Sequence, residues 1–409
     1  MQECYNSFCF FPNYEIVKQY SLFLKIADLV LQITSENPRD VSYLSDKYTD
    51  FIVKRKTDAR NIYRVSLTNY QPVLPKQTGR NFLLHMSPVW QHFPRFNDFF
   101  RMVFAFMLHH HSGLLIHASV LVQNNRSFVF VGPEGAGKST VRLRSQNMVC
   151  LGDDTAIIRK KGAQFYAYGS PFYQKTNRSY PNKSCPLASI FTLQKTSYTM
   201  VKRLGISESL ATFISQTQFS SFEGNNSEKT SALSTVSTLC QYKKCFQLCF
   251  SLHKPFWPLV IYAIKTLNFS TETRPSLSPI NSEVARRLPK NISWSYAVAD
   301  TSFLKKCLVL REASWVFEFP LSRHIHRIAA DVINPKRSSN HQLRIAQKTQ
   351  QLSVCKEIPW IVLLQHGNLF TIVDGNHTAV AAYLLGKKNK NVFLRLIIGE
   401  AQSSRNRMI

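Results

Sequence analysis

The sequence predicts an α/β protein with more than one domain, and three observations predict it. An apolar run at Ser127-Phe128-Val129-Phe130-Val131 feeds straight into the glycine-rich stretch Gly132-Pro133-Glu134-Gly135-Ala136-Gly137-Lys138-Ser139-Thr140. The segment 268–291 gathers Pro, Ser and Asn and loses apolar periodicity. Beyond it, two apolar runs lead into Asp374-Gly375-Asn376-His377 and a helical pattern. A strand, loop and helix on one side of a linker and a hairpin, turn and helix on the other make a mixed α/β chain.

Taken in order, residues 1–100 form an N-terminal region in which Asp50-Phe51-Ile52-Val53-Lys54 and Ile62-Tyr63-Arg64-Val65-Ser66-Leu67 read as strands. Residues 93–108 read as a strongly apolar helix leading into a nucleotide-binding domain at 101–267. Within it, 114–193 is strand-rich, with a hairpin through Gln123-Asn124-Asn125-Arg126 and a helix after the glycine-rich loop. Helices are expected over 205–265, where Leu210, Phe213 and Ile214 share a face, and the Ser/Thr-rich 220–238 reads as a loop and candidate lid. After the linker at 268–291, a second domain occupies 292–409. There Pro359–Leu364 and Leu369–Val373 form a hairpin whose exit turn opens a helix.

The glycine-rich stretch fits G-x-x-x-x-G-K-[ST] at every fixed position and directly follows a strand. Gly132, Gly135 and Gly137 let the backbone turn with its amides inward, and Ala136, Gly137, Lys138, Ser139 and Thr140 complete the expected nucleotide cradle. Lys138 would reach the β- and γ-phosphates, and the Ser139 hydroxyl would ligate Mg²⁺. ATP and Mg²⁺ are the implied cofactors. Downstream, Leu151-Gly152-Asp153-Asp154 sets two adjacent carboxylates between apolar segments. One of them would hold metal and the other would take a proton from an attacking hydroxyl, an arrangement that leaves the assignment open. His117 reads as a site residue or a core histidine with equal force. The run His109-His110-His111 reads as the solvated end of a helix, since consecutive helical side chains diverge too far to share one ion.

Leu115-Ile116-His117-Ala118-Ser119, the hairpin, the glycine-rich loop, Leu151-Gly152-Asp153-Asp154, Tyr168-Gly169-Ser170-Pro171-Phe172 and the stretch from Cys185 to Leu193 resemble the HPr kinase/phosphorylase group, which shares its nucleotide-binding core with phosphoenolpyruvate carboxykinases. The resemblance implies that His117 lies beside the transferred phosphoryl group and that Asp153 and Asp154 serve metal and proton-transfer roles without saying which does which; Ser139, with Asp153 as the candidate of the two, is the expected metal site. It implies a kinase that phosphorylates a hydroxyl of a peptide, protein or small molecule, and an enzyme that often assembles into homo-oligomers. The chain lacks a recognisable version of the later loop by which true HPr kinases dock their carrier, so that carrier and phosphorylase activity are not expected.

The C-terminal hairpin, turn and helix resemble the ParB/sulfiredoxin-like fold over about 290–400. That likeness implies a smaller α+β domain with a candidate site at Asp374, Gly375, Asn376 and His377, assisted by Glu318. Thr378 stands where the pattern carries Arg, so the domain could serve docking as readily as phosphoryl chemistry.

Composition sets the outer limits. The net charge is +27, and residues 281–409 hold 19 Lys+Arg against 8 Asp+Glu, so a polyanion, nucleic acid included, is a candidate partner of the second domain. A DNA-binding or adaptor role gated by nucleotide is therefore the alternative to a kinase. No apolar run is long enough to span a bilayer, and Glu3 near the start with no basic leader argues against a signal peptide. The 9 cysteines, an odd number without CxxC pairing, fit a reducing cytoplasm. Cys240, Cys245 and Cys249 match no standard zinc spacing.

Overall fold

The computed structural model describes residues 19–54, 62–68, 76–85, 89, 91, 93–172, 180–220, 226–252, 254–267, 288, 292–309, 323–333, 340–355, 357–388 and 392–401. The chain divides into two compact units, Met1–Phe191 with Ile206–Lys243, and Thr192–Gly205 with Lys244–Ile409. Residues 244–267, expected in the nucleotide domain, thus fall in the second unit, because their strand pairs with Met200–Arg203.

The first unit opens with strands β1 (Tyr20–Ile26) and β2 (Leu29–Ser35), helix α1 (Pro38–Lys47), and strands β3 (Ile62–Thr68), β4 (Lys76–Thr78) and β5 (Asn81–His85). These strands make one sheet in the order β1-β2-β3-β5-β4. Alternation drives it: Leu22, Leu24 and Ile26 of β1 are buried between partly exposed neighbours. Helix α2 (Phe93–His109) belongs to the same core through Phe96, Phe100, Val103, Phe104 and Met107. Asp50–Lys54 is not a strand. Thr49–Phe51 forms a 3-10 turn that drops Phe51 into that core beside Tyr48, and only Ile52 makes a bridge, to Leu24.

Next come β6 (Gly113–Ile116), β7 (Ala118–Gln123), β8 (Arg126–Val131), helix α3 (Lys138–Leu143), β9 (Val149–Gly152), β10 (Ala156–Lys161), β11 (Gln164–Tyr168) and β12 (Ser184–Lys195), of which the residues from Thr192 on count with the second unit. The β7–β8 turn has Asn124 and Asn125 at φ of 50° and 55°, the left-handed pair that a two-residue hairpin needs. Strand β7 pairs with β8 on one side and β9 on the other, whereas β6 pairs with β10. After β13 (Met200–Arg203), which belongs to the second unit, α4 (Ile206–Gln216) and α5 (Asn226–Tyr242) complete the first.

Helix α5 corrects the expected loop at 220–238; residues 221–225 lie outside the described residues. Ala232, Val236, Leu239 and Cys240 bury one face of it. The hydroxyls of Thr230, Thr235 and Thr238 bond back to the carbonyls of Asn226, Ser231 and Ser234, so the Ser/Thr content is absorbed within the helix. The expectation of a solvated His109 is also overturned. Its ring is fully buried, with Nδ1 2.7 Å from Oε1 of Glu228 on α5.

The second unit adds β14 (Cys245–Phe250), α6 (Trp257–Thr266), β15 (Ile292–Asp300), β16 (Cys307–Val309), α7 (Ile325–Ile333), α8 (Asn340–Val354), β17 (Trp360–His366), β18 (Leu369–Asp374), α9 (Asn376–Lys388) and β19 (Phe393–Ala401). Its strands run in the order β16-β18-β17-β19-β15-β13-β14. Its core joins Ile325 and Ile328 of α7, Ile345 of α8 and Val380 of α9 to Leu363, Ile372 and Leu396 of the sheet. Both units are mixed α/β.

Candidate functional site

Between β8 and α3 the glycine-rich loop turns through left-handed conformations at Gly135 (φ 77°) and Gly137 (φ 111°), which side chains with a Cβ adopt only under strain. The Ala136 amide closes the turn on the Pro133 carbonyl at 3.1 Å, and the Val141 amide bonded to the Gly137 carbonyl starts the helix. Lys138 is 7% exposed. Its Nζ donates to the carbonyls of Gly132 at 2.7 Å and Pro133 at 3.0 Å. Burial lowers its pKa, against the opposing fields of Asp154, Glu134 and Asp153.

Among the described residues no carboxylate stands within ion-pair distance of Lys138. A buried ammonium with only carbonyl partners fits an incoming anion, and a phosphate is the anion this loop geometry would cradle. Ser139 is exposed at the start of α3, open to a ligand.

The two aspartates occupy the turn between β9 and β10 and face different partners. Asp153 accepts from the Ser119 hydroxyl of β7 at 2.9 Å on Oδ1, and its Oδ2 forms an ion pair with Arg142 of α3, 2.6 Å from Nε. That pair latches the helix after the loop to the aspartate turn. Burial raises the Asp153 carboxyl, while Ser119 and Arg142 work the other way. Asp154 is held at both oxygens, by His117 Nε2 at 2.9 Å on Oδ1 and by Arg101 Nη2 at 3.1 Å on Oδ2. The hydrogen bond from His117 is the main reason its carboxyl lies below the usual range, outweighing burial, and Arg101 adds to it. Asp154 is therefore ionised at neutral pH.

His117 lies between β6 and β7, and its amide donates to the Gln216 carbonyl at 2.9 Å. Arg101 reaches the site from α2, donates also to the Thr155 hydroxyl at 2.9 Å, and sits 6.0 Å over the Phe172 ring. The structure thus brings Asp153, Asp154 and His117 together and puts both carboxylates within electrostatic reach of Lys138. Sequence reasoning missed Arg101, Ser119 and Arg142. Arg101 had a signal: it is the lone cation in the helical run Phe99-Phe100-Arg101-Met102-Val103-Phe104. Among the described residues no three His, Cys, Asp or Glu side chains gather as a metal site, so a cation bound here would draw its ligands from hydroxyl and phosphate oxygens as well.

Residues 95–264 match the family model described as "SynChlorMet cassette protein ScmC". The match spans less than half of the chain. No curated protein matches it. Among solved structures, the HPr(Ser) kinase/phosphatase from Coxiella burnetii is similar at 11% identity and a TM-score of 0.21, over 38% of this chain and 95% of that one. Similarity that loose adds nothing to the chemistry read from the residues themselves.

In the second unit, Asp374, Gly375, Asn376 and His377 form the turn from β18 into α9. The Gly375 amide donates to Asp374 Oδ1 at 2.7 Å, and the Ala379 amide bonds back to the Gly375 carbonyl. His377 Nε2 lies 3.2 Å from His341 Nδ1 of α8, with the two rings stacked. Arg344 and Lys348 of α8 line the same cavity of about 460 Å³. Burial lowers the pKa of His377, helped by His341 and the two cations. Thr378 is buried. Glu318 lies outside the described residues. Among the described residues no helix is long and apolar enough to cross a membrane.

Proposed function

We propose that the chain is an ATP-dependent kinase that transfers the γ-phosphate to a hydroxyl acceptor, a serine or threonine of a peptide or protein or a small molecule. The observation that carries this reading is Asp154: an ionised carboxylate fixed at both oxygens, beside a loop whose buried lysine is short of an anion. In the proposed reaction the acceptor oxygen attacks the γ-phosphorus, the bond to the β–γ bridging oxygen breaks, and the acceptor proton passes to Asp154. Lys138 exchanges its loop carbonyls for phosphate oxygens. His117 and Arg101 hold Asp154 in line and stabilise its charge until it takes the proton. Mg²⁺ bound with the nucleotide would neutralise charge on the β- and γ-oxygens, and Ser139 with Asp153 are the residues that would hold it.

The test is transfer of labelled γ-phosphate to serine peptides, free serine and cell extract, comparing wild type with Asp154→Asn. An acceptor labelled by wild type only supports a kinase. ATP binding without transfer to any acceptor refutes it.

The cations of α8 beside the Asp374 turn favour a second reading, a nucleotide-gated DNA-binding or adaptor protein with a ParB-like domain, because Arg344 and Lys348 line one cavity with that turn. Binding to duplex DNA that weakens steeply with salt and depends on Arg344 and Lys348 would support it. Binding unaffected by Arg344→Gln with Lys348→Gln would not.

A further inference from the structure

The second unit contains another cavity, of about 680 Å³, away from the turn at Asp374. It opens between α6, the 3-10 segment Thr301–Lys306 and the C-terminal end of α9. Its size suits a small organic ligand. Its wall is apolar, with Leu259 and Tyr383 buried and Phe393 partly so. Gly386 lets α9 pack directly against Thr301 at the cavity's edge, since a Cβ there would lie 2.1 Å from the Thr301 hydroxyl oxygen.

The charged groups around this wall are three lysines and one aspartate. Lys254 is 4.0 Å from Asp300, so its charge is answered. Lys305 and Lys387 are exposed lining residues, and among the described residues neither forms an ion pair; Lys387 lies 5.5 Å over the Tyr383 ring. An independent observation points the same way. Thr199, 1% exposed, lines the cavity, and its hydroxyl has no hydrogen-bond partner among the described residues. Buried hydroxyls are ordinarily satisfied, and one left open beside a cavity marks where a ligand's polar atom would settle.

We propose that this cavity binds a small amphipathic anion, a compact apolar body with a single carboxylate or phosphate ester head. The body lies on Leu259, Tyr383 and Phe393, and the head is held by Lys305 and Lys387. This site does not depend on the kinase reading, and its test uses no phosphoryl transfer.

The experiment is calorimetric titration of the full chain with octanoate, octyl phosphate and octanol. One of the two anions should bind saturably at one site, at least ten-fold more tightly than octanol, and comparison of the two identifies the preferred head. Lys305→Gln with Lys387→Gln should weaken binding at least ten-fold at an unchanged melting temperature, while Lys388→Gln, one residue outside the lining, should not. Thr199→Val should weaken binding yet leave the free protein as stable or more so, because it removes an unsatisfied group. No saturable binding of either anion at millimolar concentration overturns the proposal. Octanol binding as tightly as the anions does so too, as does affinity unchanged in both the double lysine variant and Thr199→Val.

Discussion

Replacing Glu228 by Ala tests the tie that holds α5 to α2. Glu228 is 1% exposed, and its carboxylate accepts from His109 Nδ1 at 2.7 Å, from the Ser220 amide at 2.9 Å and from the Ser220 hydroxyl. Glu228→Ala leaves the buried His109 donor and the two part-buried Ser220 donors without their acceptor, and removing one partner of a buried pair such as His109–Glu228 costs about 3–5 kcal/mol. Against a domain stability of about 5–15 kcal/mol this is a large share. At about 2–4 °C per kcal/mol for a unit of this size, the transition should fall by about 6–20 °C.

The assay is a thermal melt followed by calorimetry and circular dichroism, together with urea unfolding. A variant carrying both His109→Leu and Glu228→Leu should recover much of the loss, because it removes both members of the pair and fills the space with apolar atoms. The pH dependence has a defined sign. Burial alone would raise the Glu228 carboxyl, but the bonds from His109 and Ser220 together hold it below its usual 4.5. Its contribution is therefore complete above that value and is lost as pH falls through the lower folded one, a slope that Glu228→Gln should not show. A loss under about 1 kcal/mol for Glu228→Ala, the size of one ordinary hydrogen bond, would refute the reasoning. So would a double variant no more stable than the single one.

The other predictions concern the first unit's site. Lys138→Ala should lower ATP affinity and abolish transfer, read by nucleotide titration and label incorporation. Asp154→Asn should keep ATP binding but lower the rate of transfer by about 10²–10⁴ through loss of the proton acceptor. Arg101→Gln should lower kcat by about 10²-fold with little change in the KM for ATP, since it misplaces Asp154 without touching the loop. Gly137→Ala, at a φ of 111°, should cost about 1–2 kcal/mol in the melt and weaken nucleotide binding.

Much of the first unit's site was legible because its signals are local. The strand, glycine-rich loop and helix follow from adjacent residues, and so do the hairpin at Asn124–Asn125 and the aspartate turn. The partners of those aspartates were not legible, because Arg101 precedes Asp154 by more than fifty residues and meets it only once α2 lies against the sheet. Helix α5 was obscured for a different reason. Its Ser and Thr content reads as loop, and only the burial of Ala232, Val236 and Leu239 by tertiary contacts settles it as helix. Packing of the same helix overturned the reading of His109, which Glu228 takes into the interior, whereas His110 is exposed and His111 partly so.

The position of His117 has a consequence for how this chain can vary. Strand β6 pairs with β10, β7 pairs with β8 and β9, and the single residue between them is also pinned through its amide to Gln216. An insertion or deletion in either strand would turn its side chains to the opposite face and carry the imidazole away from Asp154. The hairpin tip at Asn124–Asn125 is under no such restraint, and lengthening it costs little in loop entropy. Length changes should therefore be tolerated at that tip while the spacing from Gly113 to Ala118 stays fixed, so a library of insertions across 113–126 would trace the two sheets' registers as a map of forbidden and permitted sites.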